Sequence, residues 1–128
     1  MDETFWTVEF EGATGVSAGV MMFTKGKIFG GDSGHTFMGN YDGESKLKGK
    51  ISIHQFVPGS NAIGMHGDYE LDFSGIVEEK TMTATARVVG HPGNKLTARL
   101  TKVSDLPEER SEWSPAGRED TVADEKRR

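Results

Sequence analysis

Gly31-Asp32-Ser33-Gly34 is the stretch of this 128-residue sequence that looks most like catalytic machinery. A glycine-flanked Asp-Ser pair is how chymotrypsin-type enzymes present their nucleophile. Chain order excludes that chemistry here. Those enzymes place the His and Asp of the triad before the Ser, whereas no histidine precedes Ser33 and too little chain precedes it to build the supporting barrels. A G-x-S-x-G elbow fails as well, because His35 stands where the second glycine belongs. The glycines from Gly30 to Gly34 are better read as backbone geometry, permitting a bend, a bulge or a close strand approach.

The remaining candidates for chemistry are four histidines and two rows of charge. His35, His54, His66 and His91 show no recognisable zinc spacing with each other or with carboxylates. All four are expected at the surface: His54 falls on an outward strand face, and His91 precedes the turn residues Pro92-Gly93. Asp68, Glu70 and Asp72 share one strand face, as do Lys46, Lys48 and Lys50. Strand alternation generates such rows without function; they pair across strands or protect an edge. The absence of cysteine excludes disulfides and thiolate chemistry. No nucleophile, base and acid converge, so the expectation is a non-enzyme with no metal and no cofactor.

The elements that carry these residues are short alternating strands. Trp6, Val8 and Phe10 share a face. Val16, Ala18, Val20 and Met22 form the next apolar row, read as facing inward. Thr24-Lys25-Gly26-Lys27 is a hairpin turn into Ile28-Phe29-Gly30. His35 to Tyr41 follows. Leu47, Gly49, Ile51 and Ile53 then face in, as do Tyr69, Leu71 and Phe73; Met82, Ala84, Ala86 and Val88; and Leu96, Ala98 and Leu100. Seven or eight antiparallel strands in so short a chain favour an all-β fold, a single up-and-down barrel that removes exposed edges. A two-sheet sandwich is the rival. The link 58–67 contains Ile63 and Met65 and predicts a short helical turn over one barrel end.

The barrel domain is expected over 1–103 and a flexible charged tail over 104–128, where few apolar residues offset ordering entropy. Trp113 either docks on the domain or a partner, or is a stray aromatic. The inward face is a candidate ligand site lined by Trp6, Phe10, Ala18, Ile51, Ile53, Tyr69, Leu71, Phe73, Ala84, Ala86 and Ala98. Its many small residues either fit the taper of a packed barrel or leave a cavity for one small apolar ligand. A net charge of −5 argues against nucleic acid and against anionic membrane as partners. No apolar run approaches the ~20 residues of a membrane span, and the acidic start is unlike a signal peptide. The expected compartment is the cytoplasm.

The order Ile28-x-Gly30-Gly31-Asp32, Gly39-x-Tyr41, Ile51-x-Ile53-His54 and Asp68-Tyr69-Glu70-Leu71 resembles the GrlR-like family, negative regulators of type III secretion gene expression. The resemblance covers about Thr4 to Val103. It implies a small bacterial lipocalin-like or fatty-acid-binding-protein-like barrel, a homodimer, that acts by binding a transcriptional activator protein. That family is associated with an acidic Glu-Asp-Glu-Asp run for partner binding, which this chain lacks. The nearest acidic loop, Asp42-Gly43-Glu44-Ser45, makes Asp42 and Glu44 the partner-binding candidates. The alternative reading is a carrier or sensor of a small apolar ligand inside the barrel.

Overall fold

Eight strands close on themselves in a computed structural model that describes residues 1–59 and 64–108. They are β1 (Thr4–Gly12), β2 (Gly15–Thr24), β3 (Lys27–Gly31), β4 (His35–Asp42), β5 (Lys46–Gln55), β6 (Tyr69–Glu78), β7 (Thr81–Val88) and β8 (His91–Asp105). Each pairs antiparallel with its neighbour in sequence, and β1 pairs with β8 to complete the barrel. The up-and-down barrel is therefore observed and the sandwich is not. Tight turns enforce this order. Lys25 and Gly26 both have positive φ, 52° and 77°, the two-residue geometry whose twist matches that of paired strands.

The interior is filled by setting bulky residues against small ones on adjacent strands. Phe10 faces Ala98, Phe37 faces Gly30, Ile51 faces Gly39, and Phe73 lies between Gly49 and Ala86. The space saved is taken by aromatic rings. Phe23 stands edge-on to both Trp6 and Tyr41, at centroid distances of 6.3 and 5.3 Å, and Phe10 stands edge-on to Phe37 at 5.4 Å. The Trp6 indole N–H donates to Thr4 Oγ1 at 2.8 Å, which removes the cost of burying it.

The apolar row read on β2 is a phase error. Ser17, Gly19, Met21 and Phe23 face inward, opposite Phe10, Val8, Trp6 and Thr4, whereas Val16, Ala18 and Val20 are exposed. The cause lies in β3. It ends beside Gly19, where a Cβ would collide with the Gly31 carbonyl and meet the Asp32 side chain. The inward position at Gly19 therefore takes no side chain, and the apolar row of this end of β2 lies on the outer wall.

Among the described residues no helix occurs, so none is long and apolar enough to cross a membrane. The helical turn expected in the 58–67 link falls in part on 60–63, outside the described residues; the parts on either side are not helical. β8 continues past the expected boundary at Val103 to Asp105, and the Leu106 N–H donates to the Glu3 carbonyl at 2.8 Å. The tail expected from 104 onward, with Trp113, lies outside the described residues from 109.

Candidate functional site

Most of the predicted interior residues do share one lining. Phe10, Ile51, Ile53, Leu71, Phe73, Ala84, Ala86 and Ala98 border a single apolar void. Trp6 is fully buried and Tyr69 half-buried, but both stand away from this void. Ala18 is on the outer wall, opposite Glu9, and cannot contact anything inside; it leaves the interior set for the β3 reason given above. The void measures about 40 Å³. An apolar cavity of ~150 Å³ is what benzene needs, and one water-sized probe takes ~10–15 Å³. The interior thus has room for little beyond a few small atoms, and its volume is carried by the side chains themselves.

A second, polar cleft of about 280 Å³ opens at the barrel end that holds the β3–β4 loop. Thr14 to Ser17 form one wall, Asp32 to His35 the floor, and Val57 to Gly59 the far side. Asp32 Oδ1 accepts from the Gly34 N–H at 2.8 Å and meets His35 Nδ1 at 3.0 Å. Its other oxygen, Oδ2, accepts among the described residues from Ser17 Oγ alone, at 3.4 Å. The Asp32 and His35 side chains keep just 8% and 10% of their surface in water. His35 therefore departs from the surface expectation, while His54, His66 and His91 meet it. It is buried because β4 begins on an inward position, and Asp32 three residues earlier compensates the ring nitrogen.

Tyr69 lies at the same barrel end. Burial, and secondarily the negative charge of Asp32, push its phenol up to about 12, so it stays protonated throughout the physiological range. The cluster does not assemble an acyl-transfer triad. Ser17 donates to the carboxylate and not to the imidazole, and His35 Nε2 is buried with no hydrogen-bond partner among the described residues. What the geometry does provide is a fastened β3–β4 loop and one under-bonded carboxylate oxygen beside an open cleft. Among the described residues no group of three His, Cys, Asp or Glu side chains could hold a metal ion.

The charged candidates on the surface are dispersed. Asp42 ends β4 opposite Lys48, and Glu44 Oε2 lies 3.1 Å from the Met1 amino group; both are exposed at one barrel end. Gly43 turns the loop between them at φ 107°, and a Cβ there would strike the Lys46 carbonyl. The lysine and acidic rows pair across strands as expected in one instance, Lys50 with Asp72 at 3.3 Å. Both partners are well exposed, so the pair contributes at most ~1 kcal/mol.

The feature that sequence reading missed is on the outer wall. Phe5 pairs with Met22, Met22 with Phe29, and Phe29 with Met38, which places four large apolar side chains in one row across β1 to β4. Strands are spaced ~4.8 Å apart, so the row spans ~14 Å. Val20, 40% exposed, adjoins it on the next rung, and Met38 is itself 55% exposed. Thr7 and Thr36 border the row on one side, Lys27 and Asn40 on the other. An apolar centre within a polar rim is the anatomy of a protein-binding surface. The signal was in the sequence: Phe5 and Phe29 are each out of phase with the buried row of their own strand. Elsewhere the wall carries Glu9, Lys48, Lys50, Glu70, Asp72 and Arg99, which interrupt any lipid-compatible band. No family model matches this chain, and no curated protein is similar to it.

Proposed function

We propose that this barrel is a non-enzymatic bacterial regulatory protein that acts by protein–protein contact through its outer wall. The observation that carries the reading is the Phe5–Met22–Phe29–Met38 row, an apolar surface on a chain whose interior is already full. An eight-stranded barrel either fills its interior with side chains or holds one small ligand there, and a void of about 40 Å³ favours the first. A barrel wall that exposes a contiguous apolar row has instead kept a surface for another macromolecule.

A second copy is the first occupant of that row. Two barrels related by a two-fold axis would each set Phe29 and Met38 against the other's, a self-complementary arrangement. The resemblance to the GrlR-like family supports this reading in two respects, a dimeric barrel and a cytoplasmic role in restraining a transcriptional activator of type III secretion genes. In that arrangement Asp42 and Glu44, at a barrel end, stay available to the activator.

Sedimentation and light scattering test the reading directly. The native protein should have twice the 14.0 kDa chain mass at micromolar concentration. Met38→Asp introduces a charge from each copy into one interface and should raise the dimer dissociation constant at least a hundredfold, with circular dichroism unchanged. A monomeric native protein, or a dimer indifferent to this substitution, would remove the outer row from the argument.

A further inference from the structure

The β2 strand has an edge that the barrel does not use. β3 covers β2 only from Val20 to Thr24, because β3 ends at Gly31, opposite Val20. From Gly15 to Gly19 no strand lies on that side among the described residues. In an antiparallel ladder alternate residues direct both their N–H and C=O groups to the same neighbour. Gly12 and Gly15 flank the two-residue turn Ala13-Thr14 and exchange hydrogen bonds, so Gly15, Ser17 and Gly19 direct theirs toward β1. Val16 and Ala18 therefore direct their backbone donors and acceptors outward, where β3 would have continued. Both residues are exposed, Val16 to 75%.

That edge forms one wall of the polar cleft. An open strand edge is a template for one more strand, and this one has a recognition group beside it. Asp32 Oδ1 is satisfied by two short hydrogen bonds, whereas among the described residues Oδ2 has a single long one, from Ser17 at 3.4 Å. The carboxylate is nine-tenths buried and can accept more. Among the described residues no lysine or arginine lines the cleft, and the other ionisable side chain in that lining, His35, is committed to Asp32 through Nδ1. A volume of about 280 Å³ is enough for one long side chain.

We infer that the Val16–Ala18 edge of β2 receives an extended segment of a protein partner, which adds as a strand and inserts one lysine or arginine side chain toward Asp32. The backbone groups of Val16 and Ala18 supply up to four ladder hydrogen bonds, and Asp32 Oδ2 supplies the side-chain choice. The exposed faces of Val16 and Val57 flank the entering strand and cover its apolar positions. This site is separate from the Phe5–Met22–Phe29–Met38 row, and it stands or falls independently of the outer-wall reading.

The probe is an acetylated, amidated heptapeptide of alternating threonine and valine with lysine at its centre, compared with the same peptide carrying central glutamate. Both are titrated to 5 mM into the full-length chain, with backbone amide exchange and chemical shifts followed by nuclear magnetic resonance. The lysine peptide should slow exchange at Val16 and Ala18 at least tenfold and shift Asp32, Gly34 and His35. Val16→Pro deletes an edge donor that β1 does not use, and should weaken binding at least tenfold. A lysine peptide N-methylated along its pairing edge makes the same test without altering the protein, and should give no protection. Asp32→Asn should abolish the preference for lysine over glutamate. Met38→Asp should bind as the native chain does, which separates this site from the outer row. Unchanged exchange at Val16 and Ala18 with 5 mM lysine peptide overturns the docking site, and equal protection by the glutamate peptide overturns the basic occupant.

Discussion

Replacing Ala84 with leucine tests whether the barrel is full. Ala84 borders the interior void and faces Gly75 and Ala98 on the neighbouring strands. The substitution adds three carbons to a space of about 40 Å³ that many other side chains share. If the added atoms filled that space perfectly, the gain would be bounded by cavity volume: 24 cal/mol per Å³ over 40 Å³ is about 1 kcal/mol. They do not fit perfectly, because Gly75 and Ala98 are small in order to let neighbouring large residues in. Overpacking of this kind costs about 1–3 kcal/mol. At about 4–8 °C per kcal/mol for a domain of this size, the melting temperature should fall by roughly 4–24 °C. Trp6, buried in the core, reports the unfolding by fluorescence. In parallel, anilinonaphthalene sulfonate should show no one-to-one uptake by the native chain. A leucine variant stabilised by more than about 1 kcal/mol would mean that the cavity in solution is larger than 40 Å³. Stoichiometric dye binding that disappears in the variant would restore the ligand carrier and refute the filled-interior reasoning.

Two further outcomes concern the tyrosines. The Tyr41 hydroxyl is buried without a hydrogen-bond partner among the described residues, so Tyr41→Phe should be neutral or stabilise by up to about 1–2 kcal/mol, measured by urea denaturation; a loss above 1 kcal/mol would mean the hydroxyl has a partner in solution. In that variant Tyr69 is the only tyrosine left, and absorbance at 295 nm should show its phenol ionising at about 12 instead of near 10. The sign follows from linkage: a phenol raised in the folded state contributes stability that is whole below pH 10 and is lost as the pH rises toward 12. Two units correspond to about 2.7 kcal/mol, an upper bound for a side chain partly in contact with water. A midpoint near 10 in the folded variant would place Tyr69 in solvent, away from Asp32.

Strand alternation made the barrel legible because most inward rows are apolar on one face only. Ile51 and Ile53 alternate with Lys50, Ser52 and His54, and Met82 and Ala86 with threonines, so the phase of those strands is unambiguous. β2 defeated the same reasoning. It is apolar on both faces toward its C-terminal half, and its true inward residues at the cleft end are Ser17 and Gly19. The reason is a contact with β3 that no local pattern encodes. Both features of most functional interest descend from that one ambiguity. Val20 and Met22 belong to the outer apolar surface once their phase is corrected, and Ser17 turns inward to Asp32. The Asp32–His35 pair was hidden for a different reason. A histidine at the start of a strand reads as surface until the register shows that its position is inward.

The short β3 links these observations. A five-residue strand beside a ten-residue one leaves half of β2 without a partner on that side, and no other strand among the described residues covers it. The chain compensates on the inner side by folding Asp32 to His35 across the barrel mouth and locking that loop with a buried carboxylate. A buried hydrogen bond to a charged group contributes about 1.5–3 kcal/mol, so Asp32, held by the Gly34 N–H and His35, ties the loop in place and keeps it from pairing with β2 in β3's stead. It therefore holds the edge open instead of closing it. Edges that natural barrels leave open are normally blunted by lysine, proline or a bulge. Between Gly15 and Gly19 this one has none of the three, only valine, serine and alanine. The edge next to this acidic floor runs from Gly15 to Gly19, and that short length sets the size of the segment it can accept.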